Sequence, residues 1–292
     1  MAIHVSSAFD SGNIRLAGWP AAGHARLEIA RDADGTFFQW FHFRVSGARG
    51  RPLVLDLVGL EGSAFPAGWR NYRARGSEDR LHWRQLPTSY DPQAEGGRLR
   101  IEVTPAGDHL WVAYFAPYSM ERHHDLVART ALAPGVSADV LGLSLDGQPI
   151  DCLSMGEGSR RCWFYARQHP GETMAEWWME GALAELTDPA SAVARVLRAK
   201  ARLHFVPNVN PDGSRRGYLR TNAAGANLNR EWADPTPGRS PEIVGLRGAM
   251  DRTGVHFALD VHGDEAIPHN FIAGFEGVPS ATGRQLGLLA RY

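Results

Sequence analysis

Lysine is almost missing from these 292 residues: of the 31 lysines and arginines, only Lys200 is a lysine. Ala201 follows it, so the Lys-Ser/Thr pair that closes a phosphate-binding loop cannot form. A Schiff-base role would fall on a side chain inside the polar stretch 198–202, where exposure is expected. An excess of one charge is missing too. The 31 cations face 32 Asp and Glu, which leaves no field to gather nucleic acid or an anionic membrane, and neither is an expected partner. No run of 18 apolar residues occurs and no basic-then-apolar leader opens the chain, so the expectation is a cytoplasmic, unanchored protein. Cysteine is limited to Cys152 and Cys162. They flank a turn-like segment, 156–159, within an expected hairpin over 140–167, and are read as two buried, reduced thiols. What is present is apolar: 43% hydrophobic residues over this length support real cores and about two domains.

Up to about Tyr114 the apolar residues come in short alternating or aromatic runs, at 25–30, 37–45, 53–58, 81–85, 99–103 and 109–115, punctuated by Gly, Pro and Asp. That spacing predicts an antiparallel sandwich or barrel, with Trp19, Trp40, Trp69, Trp83 and Trp111 mostly as core aromatics. After Pro117 the pattern changes. Helices are expected over 119–130, 173–186 and 241–250, the second with Trp177, Trp178, Gly181, Ala182 and Ala184 as its apolar stripe. Strands are expected at 203–207, 255–261 and 271–273, a loop over 208–237, and a last helix from about Pro279. Strands alternating with helices predict an α/β unit with a parallel or mixed sheet. The expected division is an all-β domain over 1–116 and an α/β domain over 117–292.

Chemistry concentrates in three places. The apolar strand that begins at Trp163 runs into His169-Pro170-Gly171-Glu172, so an imidazole and a carboxylate leave one turn at the carboxyl end of a strand, where open α/β sheets place ligands. His-x-x-Glu supplies two of the three protein ligands of a catalytic zinc; Glu172 would also complement a helix dipole with no metal at all. A second buried strand ends in Asp260-Val261-His262-Gly263, where His262 is placed as a third ligand. Third, the turn Asn210-Pro211-Asp212-Gly213 is followed by Arg220 and by Asn227-Leu228-Asn229-Arg230. Arginines on such loops either stabilise an oxyanion and grip a carboxylate or simply decorate a surface.

Taken together, these features resemble the zinc metallocarboxypeptidases. His169 and Glu172 look like the family's first metal motif, Asn210 to Gly213 its marker turn, Arg220 its oxyanion arginine, Asn229 and Arg230 its clamp for the terminal carboxylate, and His262 its third ligand. The β-rich region ahead, joined through Ala113 to Ser119, is similar to the cytosolic carboxypeptidase branch, which includes tubulin deglutamylases and bacterial relatives. The resemblance implies a carboxypeptidase-like catalytic domain, a mixed sheet flanked by helices, behind a β-sandwich. It also implies one Zn2+ per chain and a substrate that is the C-terminal tail of a peptide or protein, possibly an acidic one. A zinc amidoacylase acting on N-acyl amino acids and a non-catalytic peptide-binding relative are the alternatives.

Two departures stand out. The family commonly has Asp where this chain has Asn227, hydrogen-bonded to the first zinc histidine; an amide orients the ring without adding charge. The family's general-base glutamate and substrate tyrosine lie well beyond the third ligand, and only 30 residues follow His262. The expectation is therefore a C-terminally incomplete catalytic domain, with Glu265 and Glu276 as the only later glutamates and Glu265 a poor substitute base.

Overall fold

Alternating side chains build the first part of the chain into two sheets. The computed structural model describes residues 2–267, 269–274 and 278–289. Ten strands come first: β1 His4–Ser6, β2 Arg15–Ala21, β3 His24–Glu28, β4 His42–Ser46, β5 Leu53–Leu57, β6 Arg75–Ser77, β7 Arg84–Gln85, β8 Thr88–Asp91, β9 Arg98–Val103 and β10 His109–Ala113. Their sheets run β1-β4-β10-β6-β7 and β2-β3-β5-β9-β8, antiparallel except for β3 beside β5. In β9, Leu99, Ile101 and Val103 turn inward while Arg98, Arg100 and Glu102 turn out, the period of two that a half-buried strand requires. Ala25, Leu27, Phe41, Phe43, Leu53, Leu55 and Trp69 complete the core between the sheets. Each large apolar side chain there contributes roughly 1.5–3 kcal/mol.

The sandwich expectation holds, with local differences. Trp40 and Trp69 are buried, but Trp19 is exposed on β2. The strand expected over 81–85 shrinks to β7, because the Asp79 carboxylate accepts from the backbone N–H groups of Leu81 and His82, each at 2.8 Å, and bends the chain into a turn.

The remaining elements are α1 Met120–Ala131, β11 Val136–Leu143, β12 Pro149–Met155, β13 Arg160–Ala166, α2 Met174–Thr187, α3 Ala192–Lys200, β14 Ala201–Val206, α4 Pro211–Arg216, α5 Pro241–Thr253, β15 Phe257–Val261 and α6 Gly283–Leu289. The sheet order is β11-β12-β14-β13-β15. β14, β13 and β15 run parallel, and β11 and β12 are antiparallel to their neighbours. This is the expected mixed sheet.

Several expectations are corrected. β14 inserts between β12 and β13, so residues 156–159 join strands that do not pair; Cys152 and Cys162 are both free, and Cys162 is only partly buried. Helix α2 buries Ala175, Glu176, Met179, Leu183 and Leu186, a row spaced by three and four residues, and leaves Trp178 exposed. α3 fills a stretch given no element, and Lys200 is exposed at its end. The segment 271–273 is not extended in a sheet, and the last helix starts at Gly283. Part of the expected C-terminal helix, 290–292, lies outside the described residues, as does Glu276. No helix among the described residues is long and apolar enough to cross a membrane.

The two parts interlock around one loop. Leu219 joins the core of the β-sandwich. The buried Asp32 carboxylate accepts from the N–H groups of Leu219, Arg220 and Thr221 and from the Thr221 hydroxyl. Asn13 donates to the carbonyl of Gly217 at 2.8 Å.

Candidate metal centre

Parallel strands β13 and β15 are neighbours, with Ala166 opposite Val261, so the segments beyond the two strand ends emerge side by side. Arg167 takes a left-handed φ of 60° and turns the chain sharply out of β13. Gln168, His169, Pro170 and Gly171 then lead to α2. Gly171 is required by close approach: a Cβ there would lie 2.9 Å from the carbonyl oxygen of Leu219. The turn thus packs directly on the segment that carries Arg220. Asn210 caps α4 by accepting from the Gly213 N–H at 3.0 Å, with Pro211 at the first helical position, so the expected Asn-Pro-Asp-Gly turn is the start of a short helix. A Cβ on Gly213 would meet Pro170 at 2.8 Å, which brings the two motifs together.

At the strand ends the structure assembles His169, Glu172 and His262, one of two groups among the described residues with three ligand atoms within 4.8 Å of one another. Nδ1 of His169 lies 2.7 Å from Glu172 Oε1, and Nδ1 of His262 lies 2.7 Å from Oε2. The Gly263 N–H donates to the same Oε2 at 2.9 Å. The opposite ring nitrogens face oxygens: His169 Nε2 is 3.1 Å from Asn227 Oδ1, and His262 Nε2 is 2.8 Å from Asp260 Oδ2. These outer acceptors favour protonation at Nε2, which turns both Nδ1 lone pairs toward one carboxylate. That is the arrangement of ligands held for a cation. Two imidazoles and a carboxylate form a donor set that suits zinc, so the residues fit the metal.

The charges are set for it as well. Burial opposes ionisation of Glu172, but hydrogen bonds and charge from His169 and His262 prevail and lower its pKa to about 2. Burial likewise opposes a charged His262, and Asp260 and Glu172 outweigh it, raising its pKa to about 10. The two carboxylates that favour a proton on His262 would equally favour a metal cation in its place.

Of Arg220, Asn229 and Arg230, Asn229 alone touches the triad among the described residues. Asn229 Nδ2 comes to 3.5 Å from His262 Nε2. Arg230 is exposed, its guanidinium donating to the carbonyl of Asn229 at 2.9 Å. The guanidinium carbon of Arg220 sits 5.6 Å from the Phe37 ring centroid, and its charge reaches Glu265, whose pKa is raised by burial and by the charge of Glu172. Among the described residues neither Arg220 nor Arg230 enters an ion pair with an acidic side chain; both stay available for an anion. A cleft of about 470 Å³ is lined by residues that follow Glu172 and His262 in the chain, Thr173, Met174, Asp264 and Glu265, and by Arg73 and Arg75 of the β-sandwich.

Behind the triad lies a network the sequence did not reveal. Arg167 and Glu176, both buried, pair at 2.7 Å, and Arg167 also donates to the carbonyl of Pro170 at 2.6 Å. The only local clue is the spacing of Glu176 four residues after Glu172. Its partners, Arg167 on a strand end and His123 on α1, come from separate elements.

Comparison with known proteins gives a consistent result. Residues 5–115 match the family described as the cytosolic carboxypeptidase N-terminal domain, and residues 127–245 match zinc carboxypeptidase. An uncharacterised protein of Zymomonas mobilis is 56% identical over 292 residues, covering 100% of this chain and 76% of that protein. The crystal structure of a metallo-carboxypeptidase from Burkholderia cenocepacia superposes with a TM-score of 0.94 at 41% identity, covering 98% of this chain and 77% of that one. The metallo-carboxypeptidase from Pseudomonas aeruginosa in complex with (2-guanidinoethylmercapto)succinic acid gives 0.94 at 42% identity, covering 99% and 77%.

Proposed function

This chain belongs to the zinc carboxypeptidases, in the branch that carries the cytosolic carboxypeptidase N-terminal domain, and we propose that it removes C-terminal residues from peptides or protein tails in the cytoplasm. The observation that carries this reading is the pair of Nδ1 atoms held on the two oxygens of one buried carboxylate. His169, Glu172 and His262 hold one zinc ion. When bound, zinc polarises the scissile carbonyl and acidifies water.

Several further contributions come from this chain's side chains. Asn227 and Asp260 fix the two imidazoles. Asn229 and Arg230 bind the substrate's terminal carboxylate, which is charged in both substrate and transition state. Arg220 meets the negative charge that develops on the carbonyl oxygen, and Asp32 holds its backbone in place. The Pseudomonas relative is in complex with a succinic acid that bears a guanidino group; its carboxylates fit a site whose cations await a carboxylate, while its guanidinium lends no support to an acidic tail. Arg73 and Arg75 in the cleft favour an acidic tail, while Asp264 and Glu265, which also line it, oppose one. Peptides ending in Glu, Leu and Lys are therefore the set that discriminates.

Kinetics on a zinc-loaded, active and catalytically complete form test the assignment. Arg230→Ala should mainly raise KM and Arg220→Ala mainly lower kcat, each by roughly 2–4 kcal/mol of apparent transition-state stabilisation. Cleavage of C-terminally amidated peptides at the rate of free acids would refute the carboxylate clamp, and preference for Lys over Glu would refute the acidic tail.

A further inference from the structure

Glu176 organises a second histidine, one that the triad does not use. His123, buried on α1, places Nδ1 2.7 Å from Glu176 Oε1. The other Glu176 oxygen is held by Arg167 at 2.7 Å and Asn208 at 3.3 Å. Glu176 is thus a fixed, charge-compensated acceptor that keeps the proton on Nδ1 and turns Nε2 the other way, toward Asp151 Oδ2 on β12 at 3.3 Å. That separation is longer than the 2.7–2.9 Å of a charge-assisted hydrogen bond. It matches the edge between two ligand atoms of a tetrahedral zinc shell, roughly 3.3–3.6 Å when each bond is about 2.0–2.2 Å. His124 completes the set: one ligand atom from each of His123, His124 and Asp151 lies within 4.8 Å of the others. His124 is exposed and lines a cleft of about 650 Å³ together with Asp10 and Glu121, which gives an ion a path in.

We propose that His123, His124 and Asp151 form a second metal site, for a divalent transition ion of the zinc class, that pins α1 to β12. Two imidazoles and one carboxylate favour zinc, cobalt or nickel over magnesium or calcium, which prefer all-oxygen shells. The Glu176–His123 contact supplies the carboxylate that commonly stands behind a metal-bound histidine. On binding, any proton on His123 Nε2 leaves to solvent. His124, the exposed member, leaves the site open to water on its side.

The site goes beyond the peptidase reading and is tested apart from it. The full chain, stripped with a chelator, is titrated with zinc ions against a chromophoric competitor. The wild type should take two equivalents, and His124→Ala and Asp151→Asn should each take one. His124 is exposed, so its loss spares the core. His262→Ala should also take one, the other one, and zinc should still raise its Tm because α1 remains pinned. A wild type that takes a single equivalent, lost in His262→Ala and kept in His124→Ala, would overturn the second site and leave the first standing. A second equivalent that survives both His124→Ala and Asp151→Asn would overturn it as well. Loss of one equivalent in His124→Ala with none lost in His262→Ala would sustain the second site and refute the peptidase centre.

Discussion

Glu172 and Glu176 stand four residues apart at the start of one helix, both buried, both 2.7 Å from a histidine nitrogen, and they do different work. Among the described residues, Glu172 bonds only to imidazoles and one backbone N–H. Its charge has no permanent cation beside it and is free to hold a metal. Glu176 is paired with Arg167, so its charge is already balanced and it can serve only to orient what it touches. Residue type and burial are the same in the two cases. The difference is the counter-charge, and the counter-charge separates a ligand from a support.

If that contrast is right, the two glutamates should fail in different assays. Glu176→Ala strands a buried guanidinium and should lower stability by roughly 3–5 kcal/mol in urea unfolding. Glu172→Ala in the metal-free protein strands no arginine and should cost clearly less. The reverse ranking would break the comparison.

Glu242 sharpens it as a buried carboxyl that pairs with no cation among the described residues. Burial is the main cause that raises its pKa to about 7, with Asp212 adding to it and the Asn222 amide opposing it. Because the folded value lies above the ordinary 4.5, its protonated form stabilises the fold at low pH. That contribution is lost as pH rises from about 4.5 to 7 and is flat above, an effect of about 3 kcal/mol. Glu242→Gln should remove this slope from the pH dependence of Tm and make the protein more stable than wild type at pH 8. An unchanged slope would show that Glu242 is ionised in the folded state.

The smallest change concerns the outer partner of His169. Asn227→Asp would give that ring a carboxylate, as His262 already has in Asp260, and should tighten zinc binding by about tenfold, the lower end of typical outer-partner effects. A chelator competition that shows no gain would mean that the amide already orients the ring as well as a charge does.

Much of the site was legible because it depends on local pattern. An apolar strand that ends in His-Pro-Gly-Glu, and another that ends in Asp-Val-His-Gly, need only lie side by side in parallel for His169, Glu172 and His262 to converge. The β13–β15 register does this. The alternating runs of the β-sandwich were readable for the same reason. What escaped the sequence depends on tertiary partners. The row of α2 that faces the sheet is chosen by packing, which is why Met179 and Leu183 are buried and Trp178 is not. The insertion of β14 between β12 and β13 is a topological fact that no turn signal encodes. His123 and Glu176, 53 positions apart, meet only because α1 and α2 pack together. Asp32 reaches across 187 residues to the loop before Arg220.

The central claim is that His169, Glu172 and His262 hold one tight zinc. The most direct test is the zinc content of purified wild type and His262→Ala after equal dialysis against a weak chelator, with circular dichroism to show that both are folded. The account predicts that wild type keeps this equivalent and that folded His262→Ala loses it. A folded His262→Ala protein that retains the wild-type zinc content would contradict the account and show that the third ligand lies elsewhere.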